Sequence, residues 1–212
     1  MGKLRSGILG QIRGKVAGVV GGQWKDVNYV REYVKPANPN TAAQQTQRGL
    51  FGSAVGFSRP LVGPVFNTYT DQFQKSMSGF NAFIKENISY FTASPTFSSV
   101  TVTQGKLFET RIVNGQADAT LNTLNVIWSV NTGSNGANTD GVYIVAYNAD
   151  TERWGFLGAE GQRSLGASGE DISLSMSVDD VIHVWAFGIQ RIGTRIDMIS
   201  TSDYETFTAV AV

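Results

Sequence analysis

Val181-Ile182-His183-Val184-Trp185-Ala186-Phe187-Gly188-Ile189 is the most hydrophobic stretch of the chain, and its reading decides the fold. Branched and aromatic residues in a run this short form a strand, whereas a membrane helix needs about 18 or more apolar residues in succession. Similar segments lie on both sides of it: Val100–Thr103, Leu124–Val130, Val142–Asn148, Trp154–Leu157, Ile172–Met176, Ile196–Ser200 and Thr206–Val210. Turn formers such as Gly133-Ser134-Asn135-Gly136 and Thr139-Asp140-Gly141 separate them. Short strands at intervals of roughly 8–12 residues predict an antiparallel β-sandwich of immunoglobulin or fibronectin type over residues 96–212, with Trp128 and Trp185 on its inner faces.

Upstream of Thr92-Ala93-Ser94-Pro95 the apolar period is helical rather than alternating. A helix is expected from Ala42 to about Ser58, capped by Thr41 or Asn38, with Leu50, Phe51, Ala54, Val55 and Phe57 as its apolar stripe and Pro60 as its end. A second, shorter helix is expected over Leu61–Tyr69, weakened by Gly63 and Pro64. A third runs from Ser78, as N-cap, to Phe91, with Phe80, Phe83, Ile84, Asn87 and Ile88 at helical spacing, an aromatic stripe that reads as core.

Before the helices stands a glycine-rich arm. Gly7, Gly10, Gly14, Gly18, Gly21 and Gly22 alternate with apolar residues, but the phosphate-binding pattern fails: Gly10 and Gly14 enclose three residues, and Lys15 is followed by Val16 instead of a hydroxyl residue. The dinucleotide fingerprint fails on spacing as well. Val16–Trp24, a turn at Lys25-Asp26 and Val27–Val34 read instead as a β-hairpin, whose glycines admit another backbone and whose Trp24, Tyr29 and Tyr33 supply contact area. The whole is an α+β, mainly β chain: arm and helical segment over 1–95, sandwich over 96–212.

The chain has 212 residues, no cysteine and a net charge of zero. Disulfides and thiolate metal sites are therefore excluded, and no stretch is apolar enough for a membrane-spanning helix. The zero conceals a segregation. Residues 1–59 hold nine Lys or Arg against Asp26 and Glu32, a balance of +7, so the remainder carries −7. A basic arm and an acidic body point to contact with nucleic acid, or to head-to-tail docking of one copy's arm on another's body. The residues expected to carry it are Arg13, Lys15, Trp24, Tyr29, Arg31 and Tyr33.

Nothing assembles into a catalytic motif. His183 is the single histidine and occupies one position of an alternating strand, which reads as structural. The pairs Glu170-Asp171 and Asp179-Asp180 sit in expected turns without the spacing of a calcium loop. Trp154, Tyr147 and Arg153 are candidates for a sugar-binding platform, though an edge packing cluster is the simpler reading. Asn87-Ile88-Ser89 matches a glycosylation acceptor but falls within an expected helix. No cofactor and no metal site is expected.

As a set, Gly7-Ile8-Leu9-Gly10, Gly14-Lys15-Val16, Gly18-Val19-Val20-Gly21, Trp24-Lys25, Tyr29-Val30-Arg31, Tyr33-Val34-Lys35-Pro36 and Asn38-Pro39-Asn40-Thr41-Ala42-Ala43-Gln44, with Gln47-Arg48 after it, resemble a family of uncharacterised proteins encoded in Bacteroidota and their phages and prophages. The resemblance covers roughly residues 6–90; Asp26 departs from it, where a glycine would follow Trp-Lys. It implies a phage-gene context and no established activity. The expectation is a non-enzymatic virion protein (capsid-associated, neck or tail) assembled in the host cytoplasm, its partners being copies of itself and other virion proteins, with no membrane. The alternatives are a nucleic-acid-binding protein using the basic half and a carbohydrate-binding or adhesion module.

Overall fold

The computed structural model describes residues 2–4, 14–24, 27–35, 37, 40–130, 133, 135–159, 166 and 171–211. The expected turn at Lys25-Asp26, the breaker residues Pro36, Asn38 and Pro39, and Ser134 of the Gly133–Gly136 turn lie outside them. The chain divides into two compact units, residues 1–42 and 43–212. The helical segment, expected to go with the arm in 1–95, therefore lies in the larger unit.

The first unit is a four-stranded antiparallel sheet: β1 Gly2–Leu4, β2 Gly14–Val16, β3 Val19–Trp24 and β4 Val27–Glu32, in the order β1-β4-β3-β2. The expected hairpin is its β3–β4 pair, with Val19 opposite Glu32 and Trp24 opposite Val27; the two flanking strands had not been expected. Among the described residues of β2, β3 and β4 Gly21 alone is buried.

The second unit is built on β7 Gly141–Asn148 and β10 Val181–Ile192, paired antiparallel from Ile182↔Asn148 to Ile189↔Gly141. A run without polar interruption is what a strand covered on both faces requires. Every side chain from Val142 to Ala146 is buried, as is every one from Val184 to Ile189. β8 Arg153–Ala159 extends the sheet beyond β7, while β11 Arg195–Ile199 and β12 Asp203–Thr208 pair with the two ends of β10. Alternation then divides the side chains. Val142, Ile144, Ala146, Ile182, Val184 and Ala186 face a three-stranded sheet of β5 Ile112–Asp118, β6 Thr123–Trp128 and β9 Ile172–Ser173, and share its apolar cluster with Leu124, Val126 and Trp128. Tyr143, Val145, Trp185, Phe187 and Ile189 face the opposite way, into a cluster with Phe57, Leu61, Phe66 and Phe83.

The architecture is thus mainly β with a covering helical layer. An immunoglobulin or fibronectin sandwich leaves the outer faces of its sheets to solvent, whereas here helices cover one of them. Trp128 lies between the sheets as expected. Trp185 does not: it points to the helical side, fully buried, and donates from Nε1 to the Val100 carbonyl at 2.8 Å.

The helical layer follows the sequence closely. α1 spans Ala42–Ser58 and stops before Pro60, which enters a 3-10 turn, Arg59–Leu61; the expected second helix follows as a π-helix, Val62–Thr70. A proline is tolerated at the first positions of a helical turn because its missing N–H would have no partner there. α2, Gly79–Asn87, starts at Ser78, whose Oγ accepts from the Asn81 N–H at 3.3 Å, and a 3-10 turn, Ile88–Tyr90, completes the expected third helix. Val100–Thr103 is not a strand of either sheet. It is a strap held by side chains: the Asn87 amide donates to the Thr101 carbonyl and accepts from its N–H, and Ser202 Oγ accepts from the Val102 N–H. β5 was missed because Asn114-Gly115 reads as a turn. The glycine serves close approach instead, since a Cβ there would meet the Asn125 carbonyl and the Phe207 ring at 2.8 Å.

Replacing either anchor removes a large side chain from a closed cluster. Trp128→Ala and Trp185→Ala are each expected to cost about 3–5 kcal/mol in denaturant unfolding. An unchanged midpoint in either would remove that tryptophan from the core.

Candidate functional site

Directly opposed residues of an antiparallel pair share a face, so the register of the N-terminal sheet sorts its side chains. Lys15 pairs with Val20, Val20 with Arg31, Gly22 with Tyr29 and Trp24 with Val27, which puts Lys15, Arg31, Tyr29 and Trp24 on one face. Tyr33 joins them, because the Lys15 ammonium sits 3.7 Å over its ring centroid. Tyr29 lies across Gly22, where an added methyl group would come within 2.7 Å of the ring. Glycine thus leaves the space that the aromatic side chain fills across the strands. Five of the six residues singled out from sequence therefore converge; the sixth, Arg13, lies outside the described residues. The opposite face carries Gly14, Val16, Val19, Gly21, Val30 and Glu32, so the acid of β4 is segregated from the cations.

Both faces are open within the unit. Trp24 is 69% and Val16 54% exposed, and Val19, Val27, Tyr33 and Val34 are exposed too. Arg31 is exposed, and its side chain makes no hydrogen bond or ion pair among the described residues. The segregation of charge by face was not read from the sequence; strand parity through the Val16–Val19 turn would have shown it.

The second unit holds a different kind of feature. Phe57, Phe97, Tyr147 and Trp154 line a cleft of about 440 Å³, bounded by Gly56 of α1 and by Glu152, its one charged residue among the described lining. The rings pack on one another, Tyr147 against Trp154 at 4.6 Å and Phe57 against Trp154 at 4.7 Å. Tyr147 and Trp154 are opposed across β7 and β8, which is why sequence alternation suggested the pair; Arg153 belongs to the other face of the strand. Burial raises the Tyr147 pKa above 10.0, and the carboxylates of Glu152 and Asp150 raise it further. Glu152 ends the β7–β8 turn in the left-handed region, at φ 53.

The remaining candidates have structural partners. His183 Nδ1 and the Tyr204 hydroxyl are 2.8 Å apart, and the rings of Phe97, Tyr147 and Trp185 surround the imidazole. Burial pushes the His183 pKa below 6.5, against a weaker pull from Asp150, and holds the Tyr204 hydroxyl up at about 12. Asp180 Oδ2 accepts from the Ser177 N–H and from the Asn148 amide, each at 2.8 Å, and these bonds hold its pKa low. Asp171 accepts from Asn125, while Glu170 lies outside the described residues. Among the described residues no three His, Cys, Asp or Glu side chains gather as a metal site would need. Asn87 is 1% exposed with its amide fully engaged, which closes the glycosylation reading.

The chain belongs to a family of unknown function (DUF6266), whose model matches residues 11–197. No curated protein and no solved structure matches it.

The buried imidazole makes stability depend on pH with a definite sign. The unfolded chain takes up this proton near pH 6.5, whereas the fold takes it up only at lower pH. Its contribution is complete above about pH 6.5 and is lost as pH falls through the folded value. Between about pH 7.5 and 5.5 the wild type should therefore lose more thermal stability than His183→Asn does. Parallel melting curves for the two proteins across that range would refute the assignment.

Proposed function

We propose that this member of a family of unknown function is a non-enzymatic assembly protein, a component of a phage virion that works by packing against copies of itself and other virion proteins. One observation carries the reading: a four-stranded sheet in which, of the described residues of β2, β3 and β4, only Gly21 is buried. Ordering a backbone costs roughly 1–2 kcal/mol per residue, and a sheet repays that by burying a face against a second layer. Trp24, Val16 and Val34 are each more than half exposed, which supports a reading in which the compensating burial comes from another molecule. Exposed aromatic and arginine side chains clustered on one face are the composition of an interface core. The virion setting is supported by the resemblance to phage-encoded proteins and by the segregation of basic arm from acidic body, which suits a subunit that repeats head to tail.

A second reading has its own observation. Lys15 and Arg31 alternate with Tyr29, Tyr33 and Trp24 on a single sheet face, an arrangement that also suits a single-stranded nucleic acid, phosphates on the cations and bases on the rings. The two readings separate by what each ligand does to the particle size.

The test is light scattering after size exclusion on the full chain and on the double variant Lys15→Glu/Arg31→Glu. The wild type is expected to associate, and to dissociate as salt rises and the Debye length falls from about 10 Å at 0.1 M to about 3 Å at 1 M. The variant should be monomeric with the melting temperature of the larger unit unchanged. A wild type that stays monomeric at high concentration and low salt would overturn the assembly reading; a salt-sensitive gel shift of single-stranded DNA by that monomer would favour the second.

A further inference from the structure

The assembly reading leaves open where on a neighbour the N-terminal sheet docks, and the cleft beside Trp154 has the chemistry to receive it. Its floor is four packed rings and its single charge among the described lining residues is Glu152, so it complements a cation with a flat or apolar body and disfavours an anion. The Asp150 carboxylate acts on the same Tyr147 hydroxyl and adds to the negative potential.

Two residues that line the cleft carry a local conformational cost. Glu152 holds φ 53 because it closes the β7–β8 hairpin turn, a left-handed position that glycine or asparagine would take with less strain, and the turn thereby sets its carboxylate at the cleft. Gly56 lies inside α1, where glycine costs about 0.5–1 kcal/mol relative to alanine. A methyl group there would meet no atom within 4 Å, and the same holds for Gly52 and Gly49 one and two turns back. The chain does not need these positions bare. A visiting strand whose backbone comes close to the helix does.

The visitor's charge is on the opposite unit. Arg31 is exposed, unpaired among the described residues and flanked on its own face by Tyr29 and Tyr33. Lys15 is less suited, since its ammonium already sits over Tyr33. A guanidinium is planar, weakly hydrated and able to stack on a ring while its N–H fork engages a carboxylate, the two features the cleft offers.

We propose that the cleft lined by Phe57, Phe97, Tyr147, Trp154, Gly56 and Glu152 is the receptor for Arg31 of a second copy of this chain, whose N-terminal sheet lies along the glycine-lined side of α1. Arg31 stacks on the aromatic floor and pairs with Glu152, joining the basic unit of one copy to the acidic unit of the next. This inference rests on the assembly reading and names its contact.

The test is complementation between two full-length variants, Arg31→Glu and Glu152→Arg, each at an exposed position so that unchanged melting confirms folding. Each alone sets like charges against each other and should associate about tenfold or more weakly than the wild type in light scattering. Mixed in equal amounts they should associate again, because the Arg31 of one meets the native Glu152 of the other, and the reversed pair is also complementary. Association of both single variants as tight as the wild type's would overturn the inference while leaving the assembly reading standing. Weakened variants that fail to complement would overturn it too, placing the contact elsewhere or within one chain. A wild type that never associates fails the assembly reading itself and the inference with it.

Discussion

The structure of the larger unit depends on the pairing of β7 with β10, a ladder from Ile182↔Asn148 to Ile189↔Gly141 covered on both faces. Burying backbone is affordable only where each N–H and C=O finds a partner, and a ladder flanked by β8 on one side and by β11 and β12 on the other meets that condition. Once the ladder is fixed, strand alternation presents two apolar surfaces at once. One recruits the three-stranded sheet, the other the helices. The strap over Val100–Thr103 closes the helical side by hydrogen bonds to Asn87, Trp185 and Ser202, so polar groups buried there are paired and not merely hidden.

The N-terminal sheet has the opposite character. Its strands are paired and its register is plain, yet among the described residues neither face acquires a second layer within the unit. The glycines explain both properties. Gly22 lets Tyr29 lie across its neighbour strand, so the described strands present cations and rings on one side and glycines, valines and Glu32 on the other. A surface of that kind is suited to contact, and the proposed receptor for it is the aromatic cleft beside Glu152 of a second copy.

How much of this was legible in the sequence follows from what each signal depends on. Strands β6, β7, β8, β10 and β11 and helix α1 showed themselves because period and composition agree locally. Lys15, Trp24, Tyr29, Arg31 and Tyr33 stood out as a set by residue type, but that they share one face follows only from the strand register. β5 did not, because Asn114-Gly115 carries a turn signal that tertiary contact with Phe207 overrides. Val100–Thr103 has strand composition, but its partners are distant groups such as the Asn87 amide and the side chain and N–H of Ser202, which no local pattern reveals. Trp185 was assigned to the wrong side of its sheet: alternation says which residues share a face, and only the packing says what covers it. Pro60 marks the end of α1 as expected, but the π-helical form of the following segment has no signal in the local pattern.

The central claim is that the N-terminal sheet takes its stability from contact with another molecule, whereas β7 and β10 carry their own. Amide hydrogen exchange measured over about a hundredfold range of protein concentration tests it most directly, because local opening is read residue by residue. The account predicts that protection of amides in Val19–Trp24 and Val27–Glu32 rises with concentration while that of Gly141–Asn148 and Val181–Ile192 stays high throughout. Equal protection of the N-terminal strands at every concentration, down to one where the protein is monomeric, would contradict it.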